Sequence, residues 1–480
     1  MKYFILVTDG AGDYPLEDRG NKTPLQLADN PVVTELAHRG IVGRCRTIPD
    51  GMEAGSDVGH LSLLGYPPEK FHTGRAPLEA ANIGVELGEN DAAFRGNIVT
   101  LRNPDNKQHG NNPDSNNDSY SYNNDAYSNN DDSYSYNNVS NVEMQAFENL
   151  EMVDHSSEDI TTEEGLRLYE DLSKHLAEKG LLDGIDMKHG VSYRGAFVIR
   201  NLDRSINPID VGSEPPHNIL GKKITDYLPG YKLNAELNSD VLESEKPSKE
   251  LGSGDNYFVA ERIKEIMRVS YEFLCNHPVN ISRIERGLRP GNCLWIWGGG
   301  RKPALIPYGN GRAMESSVIS AVDLIKGMGI LTGMKVIDVE GATGNKETNF
   351  VGKGSAAVKA FEDGDDMVFV HVEGPDECGH QGDVEGKIFC LEQIDKLILK
   401  PVLSHLKKSG ERYKILVMPD HYTPIRLRTH SADPVPFVLY DSENEQEYDE
   451  DRNFTEESAE KGCIFEKGAG ISEAFLSEEI

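Results

Sequence analysis

Three aspartates and three histidines, scattered along the chain, have the types and local settings to hold divalent metal ions. Asp9 follows the apolar run Tyr3-Phe4-Ile5-Leu6-Val7, and Asp420-His421 follows the apolar run Ile415-Leu416-Val417-Met418. Asp376 and His380 are four residues apart in Asp376-Glu377-Cys378-Gly379-His380, so a helical turn there points both to one side. His430 stands in Arg428-Thr429-His430-Ser431-Ala432-Asp433-Pro434. Carboxylates mixed with imidazoles suit Mn²⁺ or Zn²⁺, and two such ions can clamp the attacking and leaving oxygens of a phosphoryl group in transit. Singly, an Asp after a strand is an ordinary helix cap and a His an ordinary surface residue. Together, at successive strand ends, they point to a metal centre.

Ser56 is the candidate nucleophile. In Glu53-Ala54-Gly55-Ser56-Asp57-Val58-Gly59-His60-Leu61 a small residue precedes it and an apolar helical pattern follows. Its hydroxyl therefore stands at a helix N-terminus, where backbone N–H groups favour an incoming anion. A plain capping serine fits that setting equally. A metal on the hydroxyl oxygen would lower its pKa and make it a nucleophile without a neighbouring base.

The elements that must position these groups are short apolar strands alternating with helices. Strands are expected over the first residues up to Val7, at Cys293–Trp297, Met367–Val372 and Lys414–Met418, and helices at Thr23–Arg39, Ser316–Met328 and Ile388–Leu406. That alternation implies an α/β domain with a mainly parallel sheet and a site beyond the strand ends. Between these segments, Glu143–Lys179 and Tyr257–Asn276 read as helices and Val191–Arg200 as a strand. A polar, linker-like loop is expected at 239–255. The expected division is a catalytic domain in two parts, 1–75 and 286–480, split by an inserted α+β cap at 76–285. Of residues 111–138, 26 of 28 are Asn, Ser, Asp or Tyr, too polar to offset their ordering entropy, so 103–141 is expected as a disordered insertion in the cap. Residues 441–460 carry ten acidic side chains against one basic and read as a solvated, mobile face.

Composition excludes several partner classes. A net charge of −31 opposes docking on nucleic acid or anionic membranes. No apolar run approaches the length of a membrane span, and the first apolar run has strand length rather than that of a signal segment. Cys45, Cys275, Cys293, Cys378, Cys390 and Cys463 show no paired spacing, which suits a reducing compartment. A cytoplasmic protein with a small phosphorylated substrate is the expectation; the sequence is silent on oligomeric state.

The runs Gly55-Ser56-Asp57-Val58-Gly59-His60-Leu61-Ser62-Leu63-Leu64-Gly65-Tyr66 and Thr73-Gly74-Arg75-Ala76-Pro77-Leu78-Glu79-Ala80 resemble the archaeal-type branch of the cofactor-independent phosphoglycerate mutases, in the alkaline phosphatase superfamily. So do His371-Val372-Glu373-Gly374-Pro375-Asp376-Glu377-Cys378-Gly379-His380 and the segment from Asp420-His421-Tyr422-Thr423-Pro424 through His430 to Pro436. The resemblance implies an alkaline-phosphatase-like sheet flanked by helices, with an inserted cap. It implies Ser56 as the phosphorylated nucleophile, one metal on Asp376, His380 and His430, and a second on Asp9, Ser56, Asp420 and His421. Mn²⁺ is the ion expected, with Zn²⁺, Co²⁺ or Mg²⁺ admitted, and no 2,3-bisphosphoglycerate.

The implied reaction passes the phosphoryl group of 3-phosphoglycerate to Ser56 and returns it to the 2-hydroxyl, with cap closure keeping water away. Phosphate and carboxylate need cationic partners, for which Arg75 and Lys353 are candidates on the catalytic part and Arg194 and His217 on the cap. Glu347, Asn349 and Phe350 depart from the family's usual segment, and Cys378 from its usual alanine. The alternatives are a related metal-dependent phosphotransferase or phosphatase, such as a homoserine-kinase-like enzyme, and a catalytically inactive scaffold.

Overall fold

The computed structural model describes residues 1–104, 143–230, 256–309 and 314–478. All but the first two residues of the expected insertion at 103–141, and the whole of the expected loop at 239–255, lie outside these. The chain divides into two units, Met1–Glu86 with Lys302–Ile480, and Leu87–Arg301.

The first unit is built on an eight-stranded sheet. Its strands are β1 (Lys2–Thr8), β2 (Ile41–Cys45), β8 (Ser316–Ile319), β9 (Lys335–Val336), β10 (Met367–Val372), β11 (Tyr413–Met418), β12 (Val435–Asp441) and β13 (Cys463–Phe465). The order is β13-β2-β12-β11-β1-β10-β8-β9, and only the pairings of β12 are antiparallel. β1 is apolar from Tyr3 to Val7 because both its faces are covered. Phe4 and Leu6 join the core under helices Phe350–Glu362 and Lys400–Ser409, while Tyr3, Ile5 and Val7 join the opposite core with Leu61, Leu324 and Phe475.

Below the strand ends, the loops after β1 and β11 are tied by a buried ammonium. Lys387 Nζ donates to Asp13 Oδ2 (2.8 Å) and to the carbonyl oxygens of Thr423 (2.9 Å) and Gly12 (3.3 Å), and neither charged side chain is exposed. Lys387→Met leaves Asp13 as a lone buried charge. We expect a loss of about 3–5 kcal/mol in urea unfolding, with partial recovery when Asp13→Asn is added.

The second unit carries an antiparallel sheet of β3 (Ala92–Arg102), β4 (Glu151–Asp154), β5 (Ile185–His189), β6 (Arg194–Ile199) and β7 (Cys293–Arg301), with β7 paired to β3. Helices Thr162–Glu178 and Asn256–Leu274 supply Leu168, Leu172, Ile263 and Met267 to its core around Trp295.

Several expectations are corrected. The strand expected at Cys293–Trp297 in the catalytic sheet lies instead in the second unit, because its antiparallel partner is Val99–Arg95 of β3. The division falls at 86/87 and 301/302 rather than 75/76 and 285/286. Helix Ala76–Asn82 stays with the first unit by packing on helix Asp323–Leu331, where a Cβ on Gly327 would meet the Leu78 carbonyl oxygen at 1.7 Å. Ser316–Ile319, expected as helix, is β8, and Thr23–Arg39 is two helices separated before Pro31. Glu143–Lys179, expected as one helix, contains β4 between two helices. The acidic stretch 441–460 is anchored rather than loose: Arg452 donates to the Gly40 and His38 carbonyls, and Glu456 accepts from Thr23 Oγ1 and the Asp13 N–H. Burial pushes the Glu456 carboxyl up to about 7.

Candidate metal centre

β11, β1 and β10 are adjacent at the centre of the sheet, and each is followed by part of the expected ligand set. Asp9 comes directly after β1, with its N–H on the Val372 carbonyl at 3.1 Å. Helix Gly374–Gln381 follows β10 and presents Asp376 and His380 one turn apart, as the i, i+4 spacing requires. Asp420-His421 follows β11, and His430 returns beside it through the pairing of Tyr422 with Ser431. Ser56 is the first residue of helix Ser56–Leu63. All seven residues thus meet beyond the carboxyl ends of parallel strands, the usual place for a site in such a sheet.

The hydrogen-bond directions orient the three imidazole rings. His380 Nδ1 lies 3.0 Å from the Arg428 carbonyl oxygen and His430 Nδ1 3.1 Å from that of Ala54; a carbonyl only accepts, so each Nδ1 carries a hydrogen. Thr423 Oγ1 donates to Asp376 Oδ1, which leaves its oxygen to accept from His421 Nδ1 at 3.3 Å. All three Nε2 atoms therefore face inward, each the lone-pair nitrogen of its ring when that ring is neutral. His380 Nε2 and His430 Nε2 stand 3.0 Å apart, at 3.3 and 3.4 Å from the Asp376 oxygens. His421 Nε2 is 3.3 Å from Ser56 Oγ, 3.3 Å from Asp420 Oδ2 and 3.6 Å from Asp9 Oδ1. Asp9 Oδ1 and Asp420 Oδ2 are buried with no hydrogen-bond partner.

Facing lone pairs and uncompensated carboxylates repel unless a proton or a cation lies among them. Asp376 accordingly holds a proton on His380, lifting that imidazole to about 9. Burial, with Asp420 and Asp376 alongside, pushes Asp9 well above the usual carboxylate range. A divalent cation removes the same repulsion, so the donor set fits metal ions. Two groups of ligand atoms lie within 4.8 Å of one another, Asp376 with His380 and His430, and Asp9 with Asp376 and His421. Asp376 is common to both, a sharing the sequence reading did not anticipate.

The four cationic candidates fall in different places. Arg75 lies in the first unit among Asp57, Glu79, Glu373 and Asp9, whose charges keep it protonated against its burial, and its Nε is buried without a partner. Lys353 is fully buried, with Nζ donating to the His371 carbonyl at 2.8 Å and burial pushing it down to about 8. Arg194 and His217 belong to the second unit, with Arg194 over the Tyr193 ring at 4.7 Å and the His217 ring 5.5 Å from Trp297. There they have company that sequence reasoning missed. His155 lies 6.2 Å from the His217 ring, Arg95 stacks 4.0 Å over Trp297, and burial with Arg194 and Arg95 lowers His155. No local pattern marks these residues, because each comes from a different element. Of the departing residues, Asn349 caps helix Phe350–Glu362 through Gly352 N–H and Phe350 enters the core.

The sequence profile of the Metalloenzyme superfamily matches residues 1–469. A 2,3-bisphosphoglycerate-independent phosphoglycerate mutase of Methanosarcina barkeri is 39% identical over 468 residues, covering 97% of this chain and 96% of the relative. A protein of Geobacter sulfurreducens described as a probable enzyme of the same name is 36% identical over 479 residues, 99% of this chain and all of the relative. Among solved structures, the cofactor-independent phosphoglycerate mutase of Thermoplasma acidophilum shares the fold, with a TM-score of 0.55 at 24% identity over 99% of both chains. Both relatives match essentially end to end, and on that basis the chain belongs to the Metalloenzyme superfamily and, within it, to the 2,3-bisphosphoglycerate-independent phosphoglycerate mutases.

Proposed function

We propose that this protein interconverts 3-phosphoglycerate and 2-phosphoglycerate through a phosphoserine at Ser56, as a step of glycolysis and gluconeogenesis. The observation that carries this reading is the cluster of inward-facing imidazole nitrogens and carboxylates, with Asp9 Oδ1 and Asp420 Oδ2 lacking hydrogen-bond partners and the Ser56 hydroxyl 3.3 Å from His421 Nε2. Asp376, His380 and His430 would hold one cation, and Asp9, Ser56, Asp420 and His421 the other, with Asp376 close enough to serve both. When bound, such ions act as Lewis acids on the hydroxyl and phosphoryl oxygens.

The chain's own residues do the rest. Ser56 Oγ attacks the substrate phosphorus, the bond to the glycerate 3-oxygen breaks, and that oxygen takes up a proton. The 2-hydroxyl of the same glycerate then attacks phosphoserine and restores Ser56. Helix Ser56–Leu63 directs its first N–H groups toward the anion, and Arg75 adds a guanidinium whose Nε has no protein partner. Arg194 and His217 are our candidates for the substrate's other anionic groups; Lys353 is a candidate only if its ammonium leaves the His371 carbonyl. Among the described residues no helix is long and apolar enough to cross a membrane, and we place the enzyme in the cytoplasm acting on a small phosphorylated substrate.

The test is an assay with 3-phosphoglycerate and Mn²⁺, without bisphosphoglycerate, coupled to enolase. Isomerisation that stops with EDTA and returns on adding Mn²⁺ is expected. Free phosphate as the main product, or ATP consumption with homoserine, would replace the mutase with a phosphatase or a kinase.

A further inference from the structure

His371 is fully buried beneath the proposed ligands and belongs to neither metal set. Its Nε2 lies 2.7 Å from Asp9 Oδ2 and its Nδ1 2.9 Å from Ser320 Oγ. A carboxylate that ligates a cation is ionised and only accepts, so in that state Nε2 carries a hydrogen. The Ser320 oxygen accepts the Val322 N–H at 3.0 Å, which leaves its own hydroxyl hydrogen for His371 Nδ1. One direction runs through the chain: Val322 N–H to Ser320, Ser320 to His371, His371 to Asp9.

The geometry points to Ser320 and His371 as positioning residues that hold Asp9 Oδ2 and so leave Oδ1 as the single oxygen offered to a cation. Oδ1 is indeed the buried atom without a partner, 3.6 Å from His421 Nε2. The relay follows the order of the sheet. Ser320 comes just after β8, His371 lies in β10 and Asp9 comes just after β1, three neighbouring parallel strands. Lys353 fixes the middle member from the adjacent helix by binding the His371 carbonyl. Free rotation of Asp9 would let both oxygens compete for a cation; a donor on one of them removes that freedom before binding, as outer hydrogen bonds do around metal ligands generally.

This inference rests on the reading of Asp9 as a ligand, and the test separates the two. Full-length wild type, Ser320→Ala, His371→Gln and His371→Leu are titrated with Mn²⁺ alone, and free Mn²⁺ is followed by electron paramagnetic resonance. The unfolding midpoint of each metal-free protein is measured alongside. Mn²⁺ affinity should fall about tenfold in Ser320→Ala and further in His371→Leu. His371→Gln, whose amide can still donate to Asp9, should recover part of the loss. The metal-free midpoint of Ser320→Ala should drop by only about 2–4 °C, as for one lost hydrogen bond. Wild-type affinity in Ser320→Ala overturns the relay and leaves the proposed function standing, and this variant decides alone if His371→Leu does not fold. A wild type that binds no Mn²⁺ overturns both.

Discussion

Ser56→Ala should abolish isomerisation, lowering kcat by about four to six orders of magnitude, while leaving the fold in place and weakening only the cation that Ser56 helps to hold. The size follows from the role: removing the atom that carries the covalent intermediate stops both half-reactions, and nucleophile deletions in other covalent enzymes cost on this scale. The fold should tolerate the change because the hydroxyl's contact within the protein is His421 Nε2 at 3.3 Å, and alanine is a good residue in the first turn of a helix. Two measurements check it. The coupled assay reads the loss of rate, and intact mass after brief exposure to 3-phosphoglycerate reads phosphoserine in wild type and its absence in the variant. A variant that keeps even a hundredth of the wild-type rate would remove Ser56 from the mechanism.

Asp376→Asn should empty both metal positions, whereas Asp420→Asn should weaken chiefly one. Asp376 is the carboxylate that both ligand groups share, and it faces the lone pairs of His380 and His430 at 3.3 and 3.4 Å. An amide removes the negative charge and can donate its own N–H to one of those nitrogens. Without a cation Asp376 is the partner of the His380 imidazolium and, against its burial, is held well below the usual carboxylate range, so the substitution should lower metal-free stability as well as metal binding. We expect Mn²⁺ affinity to fall at least about 100-fold, some 2.7 kcal/mol, since even outer partners of metal ligands are worth 10- to 100-fold. Calorimetric titration with elemental analysis gives the stoichiometry; two ions retained at near wild-type affinity would refute the shared role.

The site was legible in the sequence to the extent that its parts were local. An acidic residue after an apolar run needs only a strand and a turn to be placed, and Asp9 and Asp420-His421 stand where their runs end. Asp376 and His380 need only one helical turn. The insertion of one unit into the other could also be read, since polarity and helix signals change in the middle of the chain. Less was legible where a short apolar run carries no label for its partner. Cys293–Trp297 has the composition of a buried parallel strand, yet it pairs antiparallel with β3, and Ser316–Ile319 is too short for periodicity to separate strand from helix. Nor does the local sequence around Lys353 show that its ammonium is buried on the His371 carbonyl.

By itself, the sequence determined which residue types stand at the strand ends, the spacing that puts Asp376 and His380 on one face, and a helix beginning at Ser56. Such features depend on backbone geometry within a few residues. Only the tertiary structure decided that β11, β1 and β10 are neighbours, that Asp376 reaches both ligand groups, and that His371 and Ser320 stand behind Asp9. It also gathered Arg95, His155, Arg194 and His217 in the second unit. Strand order and side-chain direction come from packing between segments hundreds of residues apart, and hydrogen-bond direction comes from burial that leaves no water to substitute.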